Sequence, residues 1–256
     1  MKRLTLPDVV SLLAQEVSLS DCDLSGLDLA GMDFSRKSFR GSRFDAADLN
    51  KVQLIRANLD NASLMAAHLA LANLRGANLR GTNLSLANLS LANLSLAELM
   101  GANLTGAILT GANLNGANLE EATMVSANLT GAELEGATLA SAYLVGAVLV
   151  GVQGQGANLV RVDLSTADLR QADLQKARLM KGDFSRCDLR GTNLAGANLK
   201  DAKFYRANLQ RANLKEAQIS PGVLREAFSL AGAIMPDGTV YDQGRGELGE
   251  DGDDSI

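Results

Sequence analysis

The residues able to do chemistry are few and badly placed for it. His68 is the single histidine, and the two cysteines, Cys22 and Cys187, stand far apart in the chain. A zinc or other transition-metal site needs several His or Cys ligands brought together, usually at short spacings, and nothing near His68 provides them. His68 is therefore expected as a surface residue, and both cysteines as compact apolar groups in a reducing compartment. Asp163, Asp183 and Asp188 supply carboxylates, but acid/base catalysis needs them in a concave, desolvated pocket. The many Gly-x-x-x-x-Gly spacings lack the strand, loop and helix that cradle a phosphate. No catalytic, cofactor-binding or metal-ligating residue is expected, and so no enzyme, no cofactor and no small-molecule substrate.

The reason lies in a repeat that accounts for most of these positions. From residue 24 to residue 219 one five-residue frame repeats 40 times without a shift, with a large apolar side chain at every fifth position but one. A representative stretch reads Ala102-Asn103-Leu104-Thr105-Gly106, Ala107-Ile108-Leu109-Thr110-Gly111. The apolar residue is called the centre below. Two positions before it stands a small residue, usually Ala; two after it, Gly fills 16 of the 40 units. A period of five fits neither a helix nor a strand, so each unit must be a short extended piece followed by a turn. Glycine two after the centre suits the positive-φ position of a type II turn. Both the centre and the small residue then point inward, and Cys22 and Cys187 fall at small positions. With 4% aromatic residues and no Trp, the core must be narrow.

This pattern resembles the pentapeptide-repeat family, whose units read roughly Ala-(Asp/Asn)-Leu-x-x. Thirty-nine of the 40 centres are Leu, Ile, Met or Phe. The resemblance implies an all-β fold, a right-handed quadrilateral parallel β-helix with four units per coil, hence about ten coils of 20 residues and a rod of roughly 48 Å. Some members imitate duplex DNA, bind type II topoisomerases such as gyrase and confer quinolone resistance, which gives an alternative function. Charge counts against it, because a duplex carries about 11 charges over the ~19 Å of four coils, whereas residues 81–160 carry five acids and no base.

The chain divides by pattern into an N-terminal capping helix (1–18), the β-helix (19–219), a C-terminal helix and hairpin cap (220–241) and a disordered acidic tail (242–256). Thr5 and Asp8 are placed as a capping box, with Val9, Leu12, Leu13 and Val17 on one helical face over residues 5–17. Ser220-Pro221 opens a second helix, on which Leu224, Ala227, Phe228 and Ala231 follow before Gly232 stops it. A short hairpin over residues 234–241 turns at Pro236, Asp237 and Gly238. No run of apolar residues reaches signal or membrane-span length, so a cytoplasmic protein without membrane contact is expected.

Departures from the repeat carry the functional information. Larger centres, Phe34, Phe39, Phe44, Phe184 and Phe204, lie towards the two ends, where the coil widens or meets a cap. Gly154, the one centre without a side chain, implies either a cavity costing about 3 kcal/mol or a bulge. Lys37, at a small inward position, should distort its coil and snorkel outward. Leu71, Leu86, Leu91 and Leu96 occupy turn positions where Gly is usual, Leu71 and Leu91 one coil apart. Val125, Tyr143, Val145, Val148 and Val150 project outward from two adjacent sides. Contiguous exposed apolar groups mark a docking surface, so the expected partner is a protein or a second copy of the chain. The basic residues beyond 160 form no single face, and aromatic platforms are missing apart from Tyr205, so DNA binding is not expected.

Overall fold

In a computed structural model, residues 1–15 and 17–242 are described, and the tail expected from residue 242 lies outside them apart from Asp242. Each unit of the repeat is a tight turn joined to a single bridging residue. In the turn the N–H three residues after the centre donates to the centre's carbonyl, as from Ala102 to Leu99 at 2.9 Å. The residue two after the centre has positive φ in every unit from Asp21 to Glu216, whether Gly or not. The left-handed region costs a non-glycine side chain roughly 1–2 kcal/mol, so the ladder imposes the turn even where the residue resists it.

The residue just before each centre bridges in parallel to the residue 20 positions on, from Asp23 with Arg43 to Asn198 with Gln218. Four units thus complete one turn of the solenoid, and the bridging residues stack into four faces. Face A carries Asp23, Arg43, Ser63 and so on; face B carries Asp28, Asp48 and His68; face C carries Asp33 and Gln53; face D carries Ser38 and Asn58.

Backbone accounting explains the Asn and Asp before the centres. In the unit around Leu104, Asn103 donates to Thr82 below, while Leu104 and Gly106 donate to Thr123 and Val125 above. Ala107 donates within the turn, to Leu104. The fifth N–H, of Thr105, donates to the Asn103 Oδ1 at 3.0 Å. An Asn or Asp before the centre satisfies the one donor that the ladder leaves over.

Leucine centres and alanines fill the interior as one continuous cluster. At roughly 25 cal/mol per Å² removed from water, each buried centre contributes on the order of 2 kcal/mol. Polar residues at small positions find a carbonyl 23 residues back: Ser42 donates to Leu19 at 2.6 Å, Thr82 to Leu59 at 2.8 Å and Thr192 to Leu169 at 2.7 Å.

The ends differ from expectation in several places. The repeat extends one unit before residue 24, within the expected span of 19–219: Leu19 is buried and Asp21 already has the turn conformation. Strand β1 (Lys2–Arg3) pairs in parallel with β2 (Cys22–Asp23), burying Leu4 below Leu24 in register. Helix α1 (Leu6–Ala14) begins at the foreseen box, with Thr5 N–H donating to the Asp8 carboxylate at 2.8 Å. Val9 is buried, but the helix stops before Val17, which is exposed.

At the other end α2 spans only Pro221–Leu224, not the stretch to Ala231. Ser229 and Ile234 instead return to the ladder against Asn208 and Asn213, at a spacing of 21. The sequence Ser229-Leu230-Ala231-Gly232-Ala233 is itself a repeat unit, and stacking it buries Leu230 and Ala233 while leaving Phe228 outside. The hairpin forms, with Ile234 antiparallel to Val240 and Gly238 donating to Met235.

Neither expected irregularity distorts the backbone. Gly154 keeps its vertical bond to Asp173 at 2.7 Å, and both bridges of Gln153 remain in register. Lys37 is half-buried in the first turn of the repeat. Its turn bond to Phe34 and the bridge from Ser38 to Asn58 are ordinary.

Candidate interaction surface

The groups first considered for chemistry are held in inert positions. His68 is exposed on face B. Cys187 is buried and its thiol donates to the Leu164 carbonyl at 2.8 Å; burial pushes its pKa up to about 12, so it carries no thiolate at neutral pH. Cys22 is half-buried, its thiol also raised by burial. Asp163 and Asp183 stack on face A, Asp168 and Asp188 on face B. Hydrogen bonds from the Arg170 and Arg190 guanidinium groups hold the Asp168 and Asp188 carboxyls below the usual range. Among the described residues no three His, Cys, Asp or Glu gather as a metal site, and no helix is long and apolar enough to cross a membrane.

Basic side chains gather more than the sequence suggests. Arg161, Arg178, Lys181 and Lys200 line one shallow depression, together with the acids Glu120 and Asp201. On face B the Arg170 guanidinium lies 2.7 Å from Asp168 and 3.7 Å from Asp188 of the next level, so these charges form a neutralised ladder.

The apolar departures converge. Leu86 stands at the corner where face A passes into face B, and Leu71 and Leu91 stand at the corner between B and C. Their side chains are 64%, 50% and 61% exposed. Each leucine of the 86–96 turn leans over a corner glycine of the next level: a Cβ added to Gly106, Gly111 or Gly116 would meet a δ-methyl of Leu86, Leu91 or Leu96 at 2.9, 2.8 and 2.9 Å. Leu96 belongs to the corner between C and D and faces away from the others. Val125, Val145 and Tyr143 lie on face A beside the A–B corner, Tyr143 exposed and the valines half-buried; Val148 and Val150 lie on face B.

One residue that the sequence reading passed over joins the two groups. Ile108 is exposed on face B, bridged to Asn88 below and Asn128 above. Its signal was present, since it puts a large aliphatic side chain where Asn or Asp is usual. With it, face B and its two corners form a continuous strip over five levels, residues 65–71, 85–91, 105–111, 125–131 and 145–151, in which no Asp, Glu, Lys or Arg occurs. The five acids of residues 81–160 all lie elsewhere: Glu133 and Glu135 on the C side, Glu98 and Glu120 on the D side, Glu121 at the corner leaving D.

Some of this apolar surface replaces local hydrogen bonds. Where Ile108, Tyr143 and Val148 stand in place of Asn or Asp, the N–H groups of Thr110, Val145 and Val150 have no protein acceptor among the described residues. An amide bond forgone in this way is worth about 1 kcal/mol.

Comparison with known proteins agrees with this architecture. The family model for pentapeptide repeats matches in 8 copies, over residues 18–54, 57–95, 67–106, 97–136, 132–171, 155–186 and 183–218. No curated protein matches the chain significantly. Among solved structures, HetL, a pentapeptide repeat protein involved in heterocyst differentiation regulation from the cyanobacterium Nostoc sp. strain PCC 7120, is 29% identical. That match covers 93% of this chain and 100% of HetL, with a TM-score of 0.68. Full-length QnrB1, a plasmid-mediated fluoroquinolone resistance protein, is 16% identical over 84% of this chain and 94% of its own, with a TM-score of 0.42. Five-residue periodicity, turns of four units and the family match together place the chain in the pentapeptide-repeat family.

Proposed function

We propose that this chain is a non-enzymatic interaction rod, a right-handed quadrilateral β-helix of ten coils closed by its terminal segments, which captures a protein on the strip along face B. The observation that carries the reading is the five-level strip without charge, set between exposed Leu71, Leu86, Leu91, Ile108 and Tyr143. A polar solenoid has no need of such a surface for its own fold, since Asn before the centre and Gly at the corner satisfy the backbone better. A nucleic acid would seek cations, and the strip has none. The likeness to HetL, a protein involved in heterocyst differentiation regulation, supports a regulatory role. A DNA-like surface for a type II topoisomerase is the weaker reading, because the acids of residues 81–160 are five and confined to the C and D sides.

The test is capture of proteins from the native cells with the full chain and with a Val145→Asp, Val148→Asp variant. Both positions point outward and an Asp at 148 can accept from the Val150 N–H, so the circular dichroism spectrum should be retained and the unfolding midpoint should not fall while the bound protein is lost. Identical captured proteins with both baits would refute the reading.

A further inference from the structure

Resting on the reading of face B as a docking surface, we infer that one occupant is a second copy of this chain, laid antiparallel and face to face about a two-fold axis at Ile108. Two relationships along the face point to this arrangement, one of shape and one of charge.

The shape of face B is asymmetric end to end. Counting levels from Asp28 on face B, Ile108 is at the fifth. On the N-terminal side of it the B–C corner carries protruding Leu71 and Leu91; on the C-terminal side the same corner carries Gly131 and Gly151. An antiparallel two-fold through Ile108 sets the third level against the seventh and the fourth against the sixth, with like corners opposed. Leu91 then faces Gly131 of the other copy, and Leu71 faces Gly151. Protrusions meet hollows, as a self-complementary two-fold interface requires.

The charges beyond the neutral strip are complementary in the same sense. At the first two levels, face B and its flanks carry Asp28, Asp45 and Asp48 against Lys51, a net charge of −2. At the eighth and ninth levels they carry Asp168 and Asp188 against Arg170, Arg186 and Arg190, a net charge of +1. The antiparallel pairing sets the net-negative end of each copy against the net-positive end of the other, with Arg170 opposite Asn50 and beside Asp48; Asp48 then lies opposite Asp168 and Asp28 opposite Asp188, aspartates already held by Arg170 and Arg190. A parallel pairing would instead set −2 against −2 and +1 against +1, which repels. Nine levels at ~4.8 Å give a strip of about 40 Å by 15 Å, on the order of 600 Å² per copy, at the lower end of what specific interfaces bury.

The experiment is sedimentation equilibrium of the full chain at micromolar concentration, paired with oxidative cross-linking of single-cysteine substitutions, the unsubstituted chain serving as background for Cys22 and Cys187. The expected results are a dimer, efficient disulfide formation by Ile108→Cys, which meets itself on the axis, and none by Val148→Cys, which faces His68 of the other copy. Gly151→Leu, which sets a leucine against Leu71 of the other copy, should weaken the dimer at least fivefold, and Leu71→Gly added to it should restore part of the loss. A monomer with no cross-link at Ile108→Cys overturns the inference, as does equal cross-linking at both positions, which would mean parallel packing. Loss of the dimer with undiminished, Val145/Val148-dependent capture of another protein would overturn this inference alone and leave the interaction-rod reading standing.

Discussion

The δ2 methyl of Leu174 reaches into the place that Gly154 leaves empty in the interior: a Cβ built on the glycine would lie 2.9 Å from it, with the Leu134 Cβ at 3.9 Å from the opposite level. The missing centre is met by its neighbour, without a bulge. Gly154 does not have positive φ, and a leucine methyl can retreat by rotation. Gly154→Ala should therefore raise stability, by about 0.5 to 1 kcal/mol, through loss of freedom in the unfolded chain. Gly182 offers the contrasting case. Its added Cβ would meet the Phe184 ring at 2.9 Å and the Leu179 carbonyl at 3.1 Å, and that ring is stacked on Phe204 at 5.2 Å. Gly182→Ala should cost about 1–3 kcal/mol by overpacking. Urea unfolding of both variants checks the opposite signs; a shift of the same sign in both would show that the occupant of the space does not decide the outcome.

Val148 exposes apolar surface and leaves the Val150 N–H without the acceptor that Asp168 gives to Arg170 one level on, at 3.1 Å. Val148→Asn should restore that bond and raise stability by about 1 kcal/mol, while weakening whatever docks on face B. Such a trade is expected where a surface serves binding in preference to folding. Thermal unfolding and partner capture, measured on the same variant, give the answer; a variant no more stable than the parent would show that solvent already serves the amide.

Acid should weaken the arginine ladder. Side-chain hydrogen bonds from Arg170 and Arg190 lower the pKa of Asp168 and Asp188 in the folded chain. A carboxylate depressed on folding stabilises above its unfolded pKa, about 3.9, and that stabilisation is lost as pH falls through the folded value. The stability difference between pH 7 and pH 3 should therefore be smaller in an Asp168→Asn, Asp188→Asn variant, which keeps a side-chain acceptor for the turn. An unchanged pH dependence would assign acid sensitivity to other carboxylates.

The inside of this protein is legible in its sequence because each five-residue unit closes its own turn. Local geometry alone sends Leu104 and Ala102 inward and Asn103 outward, so the core can be read residue by residue. Helix α2 is shorter than its sequence implies: Ala227, Phe228 and Ala231 satisfy helical spacing, while one inserted residue hides the repeat unit around Leu230. Stacking prevailed there, because it buries Leu230 and Ala233 and bonds the backbone of Phe228 to Ala207.

The outside is another matter. A period of five says that Leu86, Leu91, Ile108 and Val148 all point to solvent, yet says nothing of which are neighbours. That depends on how many units complete a turn, a property of the assembled solenoid and not of any unit. Four units per turn put Ile108 over Asn88 and between the levels of Leu91 and Val148. They also leave the five acids of the middle stretch on the C and D sides. The sequence by itself determined what is buried, through local turn geometry; only the stacked structure decided which exposed residues share a surface, because vertical pairing joins residues 20 apart.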